Sequence, residues 1–90
     1  MLKQIRYFQS VVQLGSFTAA AEEHFISQSA ISQQIRALEN ELGVALLNRK
    51  KRSFTLTEAG EYFYKKSLVL VADYDAICRE LQHISGNIGE

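Results

Sequence analysis

The chain is predicted to be mainly α, a winged helix-turn-helix with a three-helix core and a short two-stranded wing, followed by one long helix. Three observations carry this. Apolar residues recur at helical intervals in three successive stretches before Gly43, the period then breaks into two short strand-like runs around a basic segment, and a seven-residue apolar repeat fills the last third.

The first helix is expected over Leu2 to Leu14. Leu2, Ile5, Phe8 and Val12 fall on one side with Tyr7 and Val11 flanking, and Gly15 supplies the stop. Ser16 or Thr18 starts a second, short helix. Within it Ala19, Ala20 and Ala21 favour helix and allow close approach of another helix, and Phe17 and Phe25 anchor its ends. Only Phe25, Ile26 and Ser27 separate it from the third helix. A short helix, a tight turn and a longer helix with a polar outer face form a helix-turn-helix, whose second helix enters the major groove by its N-terminal end.

That third helix, bounded by Ser27 and Gly43, has two chemically different faces. Ile31, Ile35, Leu38 and Leu42 form an apolar stripe aimed at a core. Gln28, Ser29, Ser32, Gln33 and Arg36 share the opposite side, offering donors and acceptors with no carboxylate among them. Ser27 is placed to cap the first turn, and Gly43 to end the helix in a left-handed conformation with Val44 closing against Leu38. Glu39 and Glu41 lie near the negative end of the helix dipole, an unfavourable placement of roughly 0.3 to 1 kcal/mol each that keeps negative charge away from the helix start. The positive end of the dipole therefore meets any polyanion together with the polar face.

After Gly43, Val44 to Leu47 and Phe54 to Leu56 read as short strands joined by the polar, basic segment Asn48 to Ser53, a hairpin that would be the wing. Arg49, Lys50, Lys51 and Arg52 repel one another, and an anionic partner explains them better than a solvated loop does. Thr57 caps a final helix running from Glu58 to about Ser85, with Gly86 as its stop. Phe63, Leu70, Ile77 and Ile84 are seven apart, and Ser67, Tyr74 and Leu81 fall between them, giving an a/d seam. At 1.5 Å per residue this helix is about 42 Å long, whereas a globule of some 60 residues spans only about 27 Å. The seam is therefore expected to be covered by the same helix of a second copy, related by a two-fold axis that would also pair two reading helices on one duplex, the alternative being a helix that folds back on its own domain.

Size and composition narrow the function. Ninety residues without proline make one domain, or one compact domain with an extension, and 47% hydrophobic and 22% charged residues are an ordinary balance for a soluble protein. No apolar run approaches the roughly 20 residues that span a bilayer. The opening MLKQIRYFQSVV lacks the apolar centre and cleavage site of a signal peptide, so a cytoplasmic protein with no membrane partner is expected. Cys78 is the single cysteine, and His24 and His83 are far apart with no ligand-spaced neighbours, which argues against disulfide and metal alike. The common nucleotide-binding and hydrolase motifs are missing. No nucleophile, base and orienting group can be named together, so an enzyme is not expected. Net charge is zero, but Phe25 to Thr57 holds five basic residues against two acidic ones, a local excess of three positive charges. Double-stranded DNA is the partner this distribution favours; the alternative is a winged-helix protein-interaction module, for which zero net charge needs no explanation.

The stretch from QIRYF to LTEAGE, with GSFTAAA, SQSAISQQI, LENELGVAL and RKKR in order between them, resembles the N-terminal DNA-binding domain of LysR-type transcriptional regulators over almost the whole chain. The resemblance implies a bacterial transcription factor with a winged helix-turn-helix over 1–57, a dimerising linker helix over 58–86, and, at 87–90, the start of a connection to an effector-binding domain outside this chain. It implies no cofactor in this piece, a small-molecule effector in the missing C-terminal domain, a homodimer through the long helix, and either that dimer or a tetramer for the full-length protein. The family's DNA-contacting positions fall on Gln28, Ser29, Ser32 and Gln33, with Thr18 toward phosphate and Arg52 in the wing. Ser29 stands where the family usually has proline, and Gln33 where arginine is frequent. The second departure shifts the expected preference from guanine toward adenine, which an amide reads bidentately. For Arg36, one turn further along, a phosphate contact and a solvated position are both open.

Overall fold

The computed structural model describes residues 1–50 and 53–85. Lys51, Arg52 and Gly86, and the segment 87–90, lie outside the described residues. The element order is α1 (Leu2–Leu14), α2 (Phe17–Glu23), α3 (Gln28–Leu42), β1 (Leu47–Arg49), β2 (Phe54–Leu56) and α4 (Glu58–Ile84). It is a winged helix-turn-helix with a long C-terminal helix, and among the described residues no helix is long and apolar enough to cross a membrane.

Local chemistry sets the boundaries. Gly15 ends α1 at a φ of 66°, its N–H bonded to the Val11 carbonyl. Ser16, rather than Thr18, caps α2 by accepting from the Ala19 N–H at 3.0 Å. Ser27 caps α3 by accepting from the Ala30 N–H. At the other end Gly43 takes a φ of 74°, and the N–H groups of Gly43 and Val44 both reach the Glu39 carbonyl. The expected closure thus lies in the main chain, while the Val44 side chain stays exposed.

The core gathers Ile5, Phe8 and Val11 of α1, Ala20 and Ala21 of α2, Ile31, Ile35 and Leu38 of α3, and Leu46 and Leu47 ahead of and within the wing. Leu42 is a correction to the expected stripe. It is 38% exposed, because α3 packs on α1 and α2 and its last turn projects beyond them, bordering a shallow groove with Val44, Leu46 and Tyr62. The first strand is also displaced from Val44–Leu47 to Leu47–Arg49. Leu46 and Leu47 donate their N–H groups to the Glu39 carboxylate instead of to a second strand, so the ladder starts later. Its register pairs Leu47 with Leu56, Asn48 with Thr55 and Arg49 with Phe54.

Thr57 joins the wing to α4. Its hydroxyl donates to the Ala45 carbonyl and accepts from the Gly60 N–H, and its own N–H bonds to the Leu46 carbonyl. Gly60 is buried where a Cβ would stand 2.0 Å from the Leu46 carbonyl oxygen. Gly60→Ala is therefore expected to lower stability by about 3 kcal/mol, because the obstacle is backbone and cannot rotate away. Urea unfolding checks this.

From there α4 packs across α1. Phe63 and Tyr64 stack on Phe8 with centroids 5.8 and 6.4 Å apart, the Gln9 amide donates to Ser67 Oγ at 3.0 Å, and Arg6 pairs with Asp75 at 2.8 Å. The predicted single seam is therefore split. Phe63 packs against the core and Ser67 is 1% exposed, so both serve their own domain, together with Val71. Leu70, Tyr74, Ile77, Leu81 and Ile84 lie on an adjacent stripe and remain exposed. The molecule measures 51 × 26 × 21 Å with a radius of gyration of 15.1 Å, against about 12 Å for a compact chain of this length. The excess is the free half of α4.

Candidate nucleic-acid interface

The polar face of α3 emerges as expected at its N-terminal end. Gln28, Ser29, Gln33 and Arg36 are exposed and Ser32 is half-buried. Thr18, in the first turn of α2, donates from Oγ1 to Gln28 Oε1 at 3.1 Å. That bond engages the amide oxygen and leaves the two amide N–H groups of Gln28 to donate elsewhere. Ser27 Oγ lies 3.3 Å from Ser29 Oγ, so the hydroxyl at the helix start is tied to the cap.

A cleft of about 330 Å³ opens between this helix start, the start of α2 and the wing, lined by Ser16, Thr18, Gln28, Ser32, Lys50 and Ser53 among others. The structure thus brings Thr18, Gln28, Ser32, Arg49 and Lys50 to one concavity, while Ser29, Gln33 and Arg36 lie along the same exposed helix. Lys50 is exposed at the wing, where its N–H closes the hairpin onto the Ser53 carbonyl. Lys51 and Arg52, expected to extend that basic tip, are outside the described residues.

Arg49, expected with its neighbours in the basic run to meet an anionic partner, is also engaged within the chain. Its Nη1 donates to Glu39 Oε1 at 3.0 Å, and its guanidinium lies 5.7 Å from the centroid of the Phe17 ring. Nε and Nη2 are shielded from solvent without a hydrogen-bond partner among the described residues. Phe17 in turn meets Phe54 of β2 edge-on at 5.4 Å. Arg49 and these two rings clamp the wing to the start of α2, which holds the cleft open at a set width.

Glu39 is the group at the centre of this clamp, and its expected role as a mildly unfavourable surface charge is corrected. It is buried, and its carboxylate accepts from Leu46 N–H, Leu47 N–H and Arg49. Burial alone would push its pKa up. The Arg49 and main-chain hydrogen bonds, with the Arg49 charge, outweigh that and hold it below the ordinary carboxylate value. Helical spacing carries a trace of this, since Glu39 falls four residues after Ile35 and eight after Ile31, but the spacing alone does not name its partners.

The structure also gathers a serine, a histidine and a carboxylate that the sequence alone does not connect. Ser10 Oγ donates its one proton to Glu23 Oε1 at 2.7 Å, so His24 Nε2, 2.8 Å from the same oxygen, is the donor in that pair. A nucleophilic serine needs the reverse arrangement, with an imidazole nitrogen accepting its proton. Ser10 is also buried, and the His24 ring stacks edge-on against Tyr7 at 4.8 Å. The cluster ties the end of α2 to α1. Among the described residues, no three His, Cys, Asp or Glu side chains are grouped as metal ligands.

Comparison with known proteins places the chain. Residues 2–61 match the family model of the bacterial regulatory helix-turn-helix proteins of the lysR family. The chain is 43% identical over 83 residues to a probable RuBisCO transcriptional regulator of Thalassiosira pseudonana, covering 92% of this chain and 27% of that protein. It is 43% identical over 84 residues to the HTH-type transcriptional regulator BudR of Raoultella terrigena, covering 93% of this chain and 29% of that one. The chain thus spans between a quarter and a third of these relatives. Among solved structures, the BenM DBD/catB site 1 DNA complex superposes with a TM-score of 0.88 at 37% identity, over 97% of this chain and 98% of that one. With that family match over a fold whose reading helix and wing share one cleft, the chain belongs to the LysR family of helix-turn-helix transcriptional regulators.

Proposed function

We propose that this chain is the sequence-specific DNA-binding unit of a LysR-type transcriptional regulator, working in the cytoplasm on double-stranded DNA. The start of α3 enters the major groove, where Gln28, Ser32 and Gln33 read base edges. Thr18, Ser29 and the wing cations Lys50, Lys51 and Arg52 meet the phosphates, and Arg36 lies one turn further along the groove. Arg49 acts differently from its neighbours, holding the wing in place through Glu39. The unit 1–57 binds DNA, and 58–86 pairs two copies. From 87–90 the chain leads toward an effector domain, in which a small molecule acts; no cofactor is assigned to the piece described. The observation that carries this reading is the cleft, in which donors from α2, α3 and the wing converge at the positive end of a helix. That a relative of nearly the same length is seen with DNA supports it.

Selection from random duplex DNA at two salt concentrations tests the proposal. A two-fold symmetric site should be enriched, and the log–log salt slope should steepen by about 0.9 for each phosphate neutralised. No binding at low salt would instead favour a protein-interaction module. Within the selected site, Gln33→Ala is expected to flatten preference at one base pair per half-site, a loss of about 1 to 3 kcal/mol of discrimination, while leaving the salt slope unchanged. Undiminished preference in the same selection removes Gln33 from the reading set.

A further inference from the structure

The turn between α2 and α3 contains the one non-glycine residue with positive φ among the described residues. Phe25 sits at a φ of 58°, in the left-handed region that a bulky side chain disfavours. Its ring is 94% exposed. Folding therefore gives this ring neither burial nor a comfortable backbone, and glycine or asparagine would suit the position better. Both neighbours are anchored. His24 is hydrogen-bonded to Ser10 and stacked on Tyr7, and Ile26 packs on the core with its N–H on the Ala21 carbonyl. The ring is thus presented outward by a turn that is fixed on both sides.

Its place determines what it can meet. Phe25 precedes Gln28 by three residues, so their Cα atoms are at most about 11 Å apart. The major groove that would take Gln28 is about 12 Å wide. With the start of α3 in the groove, that separation puts the exposed ring within range of the groove wall, whose apolar chemistry is the thymine methyl and the deoxyribose. Resting on the DNA-binding function proposed above, we infer that Phe25 makes an apolar contact to the duplex beside the reading helix, adding affinity without a charge.

The test uses the 90-residue chain and its selected site. Phe25→Gly and Phe25→Asn both relieve the backbone, so melting temperatures stay level or rise. Duplex affinity falls roughly tenfold, the scale of covering part of a phenylalanine ring, with the salt slope unchanged. Replacing thymines near the half-site by deoxyuridine then identifies the contact. If it weakens the wild type about threefold but leaves Phe25→Gly unaffected, the partner is a thymine methyl. If it changes neither, while the Phe25 variants still bind weakly, the partner is the sugar. Equal affinity of wild type and both variants overturns the inference and leaves the DNA-binding reading intact. Failure of the wild type to bind duplex overturns both.

Discussion

Glu39→Ala is expected to lower folding stability by about 4 kcal/mol, because it leaves the Arg49 charge and two main-chain N–H groups without their acceptor in a partly buried site. The same group makes stability depend on acid. Its carboxyl is held below the ordinary value, so its contribution is complete above the unfolded-state pKa of about 4.3 and is lost as pH falls through the folded-state value. Denaturant unfolding from about pH 6 down to about pH 3 should show this decline in the wild type and a shallower one in Glu39→Gln. Glutamine keeps an oxygen for Leu46 and Leu47 but turns an amide N–H toward the Arg49 donor, so it recovers only part of the loss. Replacing the pair together, as Glu39→Leu with Arg49→Met, should be less harmful than Glu39→Ala alone, since no charge is then stranded. A Glu39→Ala protein within about 1 kcal/mol of wild type at neutral pH would show that the wing is held by Phe17 and Phe54 without the ion pair.

That ion pair marks where reading the sequence reaches its limit. The helices around the core were legible because each repeats apolar residues at helical spacing and ends at a residue with its own conformational reason to stop, Gly15 and Gly43 above all. The polar start of α3 was legible for the complementary reason, since a helix face with donors and no carboxylate is surplus to packing. Four adjacent cations point together to an anionic partner and do not single out Arg49, whereas β1 alternates its side chains and turns every second one inward. Glu39 is the counterpart of that inward turn; its helical spacing from Ile31 and Ile35 places it on the buried face, but its partners exist only once the hairpin is folded. Phe25 has the apolar character of an anchor for the end of α2, and its left-handed backbone and exposed ring emerge only in the folded turn. The seam of α4 was found but not divided. A heptad specifies a stripe, and two stripes within a quarter turn of each other differ only in which meets α1. Ser67, a polar residue in an otherwise apolar repeat, was the available clue, and Gln9 explains it.

Leu70→Lys with Ile77→Lys is expected to convert a dimer into a monomer, and the divided seam explains why these two positions are the informative ones. Both are more than half exposed in the single chain, Leu70 at 51% and Ile77 at 57%. Lysine there meets water in the monomer, and the winged core should keep its melting behaviour at low concentration. In a pair of α4 helices related by a two-fold axis, the same substitutions put four ammonium groups into one apolar contact, where desolvation and mutual repulsion oppose pairing. Sedimentation should then give the mass of one chain, and site selection should lose its two-fold symmetry while enriching single half-sites more weakly. Phe63→Lys and Ser67→Lys are the contrasting pair. Both face α1, so they should unfold the domain before they affect pairing. If Leu70→Lys with Ile77→Lys retains the dimer mass, the exposed stripe is not the pairing surface. The apolar groove of Leu42, Val44 and Tyr62 then becomes the surface to mutate next, since it gathers three exposed large apolar side chains in one place.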